Sequence, residues 1–209
     1  MDDTTPPEPL SDPPAPDNPG DSGGGPPDPA AAGETIDNEG DAITLEHGSG
    51  WEAFERVGQW LTADDWKPQQ VDGTTAWRSG FAGNNGRYRV IAHVNVELDQ
   101  LYCYAYFDAI VPEGRRGAVA EFIARANYGM RIGNFEIDMN DGELRYKSSL
   151  DFRDATLTDE LLRNAIYPAC TTLDRYVPGL MAVSFANSDP AEAVRAIESP
   201  PEPPPTDAS

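Results

Sequence analysis

Residues 112–150 constrain the fold most, because their periodicity changes once, at a glycine. Apolar residues first recur at helical spacing, at Val119, Phe122, Ile123 and Ala126. This pattern predicts a helix that begins near Pro112 and ends at Gly129 in a left-handed cap. Residues 135–138 and 143–152 then predict two strands joined by an Asn-Asp-Gly turn. The segment therefore indicates a helix beside a β-hairpin.

The residues before this segment predict a helix followed by three antiparallel strands. Ser49 is expected to cap a helix that runs to about residue 64. Alternating apolar and polar residues predict strands at 74–81, 88–96 and 101–107, with a Gly-Asn-Asn-Gly turn between the first two.

Helical spacing returns in the last third of the chain. Thr158 is expected to open a long helix, which Pro168 should kink or split, and a short helix is possible at about 190–198. The predicted order is α-β-β-β-α-β-β-α. Segregated helices and antiparallel strands define the α+β class.

Charge divides the chain into three parts. Residues 1–48 contain 12 acidic residues and no Lys or Arg, and their Pro/Gly-rich composition predicts a disordered acidic tail. Residues 49–187, with 19 acids and 14 bases, are the expected folded domain. Residues 188–209 are expected to form a short helix and a Pro-rich acidic tail. Because the excess charge is in the tails, adaptation of the folded surface to high salt is disfavoured.

The composition also weighs against several classes of partner. A net charge of −21 disfavours nucleic acid and anionic membrane surfaces, which select basic patches. The sequence has no long apolar run and no Sec-type signal, so a cytoplasmic protein is expected. Cys103 and Cys170 are expected to be buried thiols.

Several short motifs resemble the YbjN family over about residues 50–187. They are Arg-Ala-Asn-Tyr-Gly at 125–129, Gly-Asn-Phe-Glu-Ile-Asp at 133–138, Asp-Gly-Glu-Leu-Arg-Tyr at 141–146 and Leu-Asp-Arg-Tyr-Val-Pro at 173–178. The resemblance implies the fold shared with type III secretion chaperones, and a small module that binds peptide segments in a sensory or regulatory role. It supplies no catalytic residue.

The candidate partner-binding residues centre on one face of one predicted strand. Tyr102, Tyr104 and Tyr106 alternate there, and Ile91 and His93 are expected beside them on the neighbouring strand. Phe135 is a further candidate for contact. The alternative is that this face lies under the helices, with only the tyrosine hydroxyls at its rim.

Arg115 and Arg116 are candidates for pairing with an acidic client, although a solvated helix face is the favoured interpretation. No catalytic residue, metal ligand set or cofactor is predicted. Asp138, Asn140 and Asp141 lack the spacing of a calcium loop and are interpreted as turn residues. A Cys103–His93 nucleophilic pair is disfavoured because alternation places the two residues on opposite faces.

The sequence therefore predicts a non-enzymatic module, chaperone-like or regulatory, that binds a protein or peptide client, with a second copy of the chain as a further candidate partner. One alternative is an enzyme of unknown class that uses Glu136 and Asp138 beside Arg145. The other is a scaffold that acts through its tails.

Overall fold

The computed structural model describes residues 49–199 and two residue pairs, Thr35–Ile36 (β1) and Ala42–Ile43 (β2), which form a small antiparallel ladder. The predicted disorder of the tails falls mainly on residues outside this range. The remaining strands are β3 (Gln69–Gln70), β4 (Ala76–Ala82), β5 (Arg87–Asn95), β6 (Gln100–Tyr106), β7 (Asn134–Ile137) and β8 (Leu144–Asp151). The α-helices are α1 (Ser49–Ala63), α2 (Arg116–Tyr128), α3 (Asp159–Phe185) and α4 (Pro190–Glu198).

Strands β3 to β8 form one antiparallel sheet in the order β3-β4-β5-β6-β8-β7. This architecture confirms the predicted α+β class. The hairpin turns fall where glycine and asparagine predicted them, at 83–86 and after Asp138. The two-residue strand β3 was not predicted.

The hydrophobic core lies between the helices and one face of the sheet. On that face, the side chains of Val90, Leu101, Cys103 and Tyr146 are buried in the same cluster as Phe122 of α2 and Leu173 of α3. Trp77 of β4 stacks on Phe54 of α1, with ring centroids 5.1 Å apart. Burial of aromatic and aliphatic surface in one cluster supplies most of the driving force for folding.

The start and the end of α2 differ in detail from the prediction. A 3-10 turn at Glu113–Arg115 follows Pro112 and leads into the α-helix. Gly129 follows the helix as predicted, but its φ of −97° is not left-handed, so the predicted left-handed cap is wrong. The chain instead leaves through a tight turn in which the Met130 N–H donates to the Asn127 carbonyl. Gly133 and Gly142, in contrast, have the predicted positive φ.

Helix α3 is continuous through Pro168 and Pro178, so the predicted split at Pro168 does not occur. Each proline removes one helical hydrogen bond, but the buried stripe of the helix still packs along the sheet. The Thr158 side chain caps the N-terminus as predicted, by accepting a hydrogen bond from Leu161 N–H at 3.3 Å.

Asp174 of α3 clamps the β4–β5 turn, a contact that the sequence did not reveal. The residue is 6% exposed, and its carboxylate accepts hydrogen bonds from the Asn84 N–H, the Asn85 N–H and the Tyr88 hydroxyl at 2.9, 2.7 and 2.7 Å. Pro178 has no N–H to offer the Asp174 carbonyl, which accepts from the Asn85 side chain at 2.8 Å. Both polar groups of Asp174 therefore hold one turn.

Helix α4, in the predicted position, extends the folded unit beyond residue 187. Its Val194 is buried, the Tyr176 hydroxyl donates to Glu198 at 2.7 Å, and Arg175 donates to the Ile197 carbonyl at 3.0 Å. Within the described part of the chain, no helix has the length and apolarity needed to cross a membrane.

Candidate functional site

The predicted tyrosines lie on the sheet face opposite the core, which we call the open face. Residues directly opposite each other in a β-ladder point to the same side. His93 pairs with Tyr102 and Ile91 pairs with Tyr104, so the structure brings these predicted residues together. Tyr104 and Tyr106 are not members of the core cluster, and the described helices contribute to that cluster on the other face. The tyrosines therefore do not lie under the described helices.

The aromatic side chains of the open face form a continuous stack. The ring centroids of His93 and Tyr102 are 6.1 Å apart and those of Tyr102 and Tyr104 are 6.5 Å apart, with interplanar angles of 20° and 15°. Tyr106 continues the row, 6.3 Å from Tyr104. Such stacking fixes the rings in place at little entropic cost.

Two arginines cover this row. The guanidinium carbon of Arg89 lies 3.8 Å from the Tyr106 ring centroid, and that of Arg145 lies 4.3 Å from the Tyr104 centroid. Tyr104 and Tyr106 are consequently only 9% and 7% exposed. The outer layer of this face is thus arginine over tyrosine, rather than the tyrosine side chains that the sequence predicted as the contact surface.

Glu136 holds the cations of β8 in position. Its carboxylate accepts from Arg145 Nε at 2.9 Å and also pairs with Lys147. Burial alone would raise the pKa of Glu136, but the hydrogen bonds and charges of Lys147 and Arg145 lower it below its ordinary value. Glu136 is therefore a fixed anion between two cations.

Burial shifts the pKa of two further groups of the open face, His93 and Tyr104. It lowers the pKa of His93 below its ordinary value, which favours the neutral imidazole at neutral pH. It also raises the pKa of the Tyr104 phenol, which stays protonated.

Positive charge is concentrated on the open face. The sheet register gives it five cations, namely Arg78, Arg87, Arg89, Arg145 and Lys147. Its carboxylates are Glu136, Asp151 and Glu143, the last of which reaches Arg89 at 3.5 Å. The rest of residues 49–187 keeps sixteen acids and nine bases. The open face therefore carries a net positive charge, whereas the rest of the domain is net negative.

Three predicted contact residues lie elsewhere. Phe135 is 2% exposed and packs in the core against Tyr146, at a centroid distance of 4.9 Å. It therefore offers no surface to a partner, because β7 presents Glu136 rather than Phe135 to the open face.

Arg115 and Arg116 bind backbone and amide oxygens of their own chain. Arg115 donates to the Val183 carbonyl at 2.8 Å and to the Asn187 side chain at 2.6 Å. Arg116 donates to the carbonyls of residues 139, 140 and 141 at 2.9–3.1 Å. These contacts brace a helix end and the β7–β8 turn, so neither guanidinium joins the tyrosine row.

The residues of the disfavoured catalytic sites do not come together in the structure. Asp138 accepts from the Asn140 N–H at 2.6 Å within the turn, while Glu136 is engaged by Arg145 and Lys147. The turn explanation of Asp138 is thereby supported, and the two carboxylates do not form an acid–base pair. Cys103 faces the core and His93 the open face, as alternation predicted. No cluster of His, Cys, Asp or Glu suited to a metal ion occurs among the described residues.

Arg89 and Lys147 were not predicted as site residues, and Arg145 was predicted only beside the carboxylates of the alternative enzyme site. Their signal was available, since Arg89 lies two residues before Ile91 and Arg145 two residues before Lys147 on predicted strands. What the local sequence lacked was the strand order, which places β8 beside β6 and so brings Arg145 to the tyrosines.

Comparisons with known proteins agree with this architecture. The sequence profile of the YbjN family, described as "Putative bacterial sensory transduction regulator", matches residues 53–181. Searches of curated proteins and of solved structures gave no match. The matched range covers most of the sheet and helices α2 and α3, together with the whole tyrosine row. The chain therefore belongs to the YbjN family.

Proposed function

We propose that this chain is a non-enzymatic regulatory module whose open face binds an acidic, extended segment of a partner protein. The family description supports a regulatory role. The observation that carries the proposal is the arginine-covered tyrosine row on an otherwise acidic domain.

The chemistry of the face favours carboxylates. Arginine pairs with carboxylate through two parallel N–H donors, and a guanidinium already fixed on an aromatic ring loses little entropy on pairing. Arg87 and Arg89 are exposed on the same strand, two residues apart. Because residues i and i+2 of a strand are about 7 Å apart, they match alternate side chains of an extended ligand.

The proposal is tested on the full chain with a fluorescein-labelled peptide of five Glu-Pro repeats. We expect fluorescence anisotropy to report binding at about 50 mM salt that weakens strongly at about 500 mM. The double substitution Arg87→Gln, Arg89→Gln should raise the Kd about tenfold, because each exposed charge pair contributes up to about 1 kcal/mol.

Arg163→Gln serves as the control, since Arg163 is exposed on helix α3, away from the open face. It removes one positive charge, half of what the double substitution removes, and should leave the Kd unchanged. A loss of binding free energy by Arg163→Gln as large as half of that caused by the double substitution would show that net charge alone governs binding, and would overturn the proposal. Thermal unfolding of each variant checks that the sheet is intact.

A further inference from the structure

The open face has a candidate ligand within its own chain. We infer that residues 1–29 bind the open face of the same molecule and compete with the partner segment, so that access to the face is self-regulated. This inference rests on the proposed function. It concerns the regulation of that site and names its occupant.

The composition of this segment complements the face. Residues 1–29 contain seven acids, ten prolines and no Lys or Arg. The open face carries five cations against three carboxylates. Opposite charges in this arrangement steer association and disfavour the acidic remainder of the domain as a docking surface.

Proline directs the segment to a face rather than to a strand edge. A proline has no N–H for a β-ladder, so a segment in which a third of the residues are proline does not pair as an added strand. The edge strand β7 is also occupied, because the Asn127 side chain bonds to both backbone groups of Phe135. An extended proline-rich segment can instead lie across an aromatic surface.

The geometry of the chain allows this contact. The N-terminal end of α1 packs against β5, since a β-carbon at Gly50 would collide with the backbone of Val96. Residues 1–48 therefore join the domain at the end of the sheet that carries His93 and Tyr102. Residues 1–29 alone span up to about 100 Å when fully extended, whereas the sheet is only about 30 Å along its longest strand.

Covalent connection makes even a weak contact effective. A tethered segment acts at an effective concentration in the millimolar range, so an affinity too weak to detect between separate molecules can still occupy the face. A partner segment must then displace residues 1–29, and its apparent affinity falls by the occupied fraction.

The first experiment asks whether the segment lies on the open face. A nitroxide is attached to the full chain through Ser22→Cys, because the native thiols Cys103 and Cys170 are buried. We expect paramagnetic broadening of the Arg89 and Arg145 Nε–H signals at about 50 mM salt, with the Arg163 signal unaffected and the broadening lost at about 500 mM. Equal broadening of all three signals, or none, would overturn the inference.

The second experiment measures competition with the Glu-Pro peptide. Conversion of the seven acids of residues 1–29 to Asn and Gln should tighten peptide binding about tenfold. The control converts the five acids of residues 30–48, which are nearer the domain in sequence, and should have a much smaller effect per charge removed. Similar tightening by both variants would indicate general charge repulsion and overturn the inference.

The two proposals fail in distinguishable ways. If the peptide binds the parent and the neutralised variant equally well, and Arg87→Gln, Arg89→Gln abolishes both, the open face binds acidic segments but residues 1–29 do not occupy it. If the peptide binds neither chain, the proposed function itself is wrong. Broadening that disappears on dilution would assign the contact to a second copy of the chain and would also overturn the inference.

Discussion

The side chain of Asn127 bonds to both backbone groups of Phe135. Its Oδ1 accepts from the Phe135 N–H at 2.8 Å, and its Nδ2 donates to the Phe135 carbonyl at 3.1 Å. Phe135 lies on β7, the last strand of the sheet, so the carboxamide occupies the position that a further strand would take. An edge blocked in this way resists pairing with other chains.

We predict that Asn127→Ala destabilises the fold by about 1–3 kcal/mol, because it leaves a partly buried donor and acceptor without their partner. Urea unfolding followed by circular dichroism measures the change. The variant should also self-associate more readily, since it uncovers the strand edge. Light scattering measures that effect.

Tyr128→Ala is the matched control for this substitution. Tyr128 is the next residue of α2 and is 96% exposed, so its truncation should change stability by less than about 0.5 kcal/mol. A loss from Asn127→Ala no larger than that of the control would contradict the structural role assigned to Asn127.

A second prediction concerns the buried carboxylate of Asp174. Burial alone would raise its pKa, but hydrogen bonds from Tyr88, Asn85 and Asn84 lower it below its ordinary value. The charged form therefore favours folding, and this contribution is complete above pH about 4 and is lost as the pH falls through the lowered folded pKa. Asp174→Asn should lower the free energy of unfolding by about 1–3 kcal/mol at pH 7.

The difference in the free energy of unfolding between the parent and Asp174→Asn should narrow as the pH falls below about 4, because the parent carboxylate then becomes protonated and neutral, like the asparagine side chain. A gap that stays constant down to pH about 2 would contradict the assignment. Chemical denaturation at a series of pH values gives both curves.

A third prediction tests the space around the same carboxylate. A β-carbon at Gly83 would collide with the Asp174 side chain, whereas one at Gly117 meets no atom within 4 Å. Gly83→Ala should therefore destabilise the protein by about 1–3 kcal/mol, and Gly117→Ala, in α2, should be neutral or stabilising by up to about 1 kcal/mol. Equal Tm values for the two variants would contradict the close approach at Gly83.

A fourth prediction concerns His93 on the open face. Burial lowers its pKa, so its NMR titration midpoint should fall below the ordinary value of about 6.5. The neutral imidazole therefore stabilises the folded state fully above pH about 6.5, and this contribution is lost as the pH falls through the folded pKa of His93. Tyr102→Ala, which removes the stacked ring, should move the midpoint upward. A parent midpoint at or above 6.5 would refute the burial argument.

A fifth prediction concerns the two thiols. Burial raises the pKa of Cys103 to about 12 and that of Cys170 above its ordinary value. A thiol-specific reagent at pH about 8 should therefore react with neither until the chain unfolds, and should then titrate two thiols per molecule. Ser149→Cys, at an exposed position of β8, is the rapidly reacting control. Rapid reaction of a native thiol would contradict the packing.

The periodicity of the sequence predicted the main strands because each has one buried and one polar face. Alternation placed Val90 and Leu101 on one face and Tyr102 and His93 on the other, without deciding which face is the core, and the structure shows that division with Val90 and Leu101 in the core. It did not predict which face of β7 joins the tyrosine row. That depends on the register between β7 and β8, which pairs Glu136 with Arg145, and no local pattern encodes this register.

The roles of the polar residues were harder to predict for the same reason. Arg115 and Arg116 look solvated in the sequence, yet their partners lie 68 residues away at Val183 and 23 residues away at Met139. Asp174 sits in a helical stripe, and its partners are more than 80 residues upstream. Hydrogen bonds of this span follow from tertiary packing, which single-sequence periodicity does not contain.

Pro178 couples opening of the β4–β5 hairpin to opening of helix α3. Because the Asn85 side chain bonds to the Asp174 carbonyl, to which Pro178 has no N–H to donate, release of the turn would remove hydrogen bonds from both the carbonyl and the carboxylate of Asp174 at once. The β4–β5 hairpin and the centre of α3 should then open together in native-state hydrogen exchange, as one cooperative unit. The arginines at the hairpin end of the open face would lose their alignment in the same event. Slow unfolding of a helix would therefore change the structure of the open face.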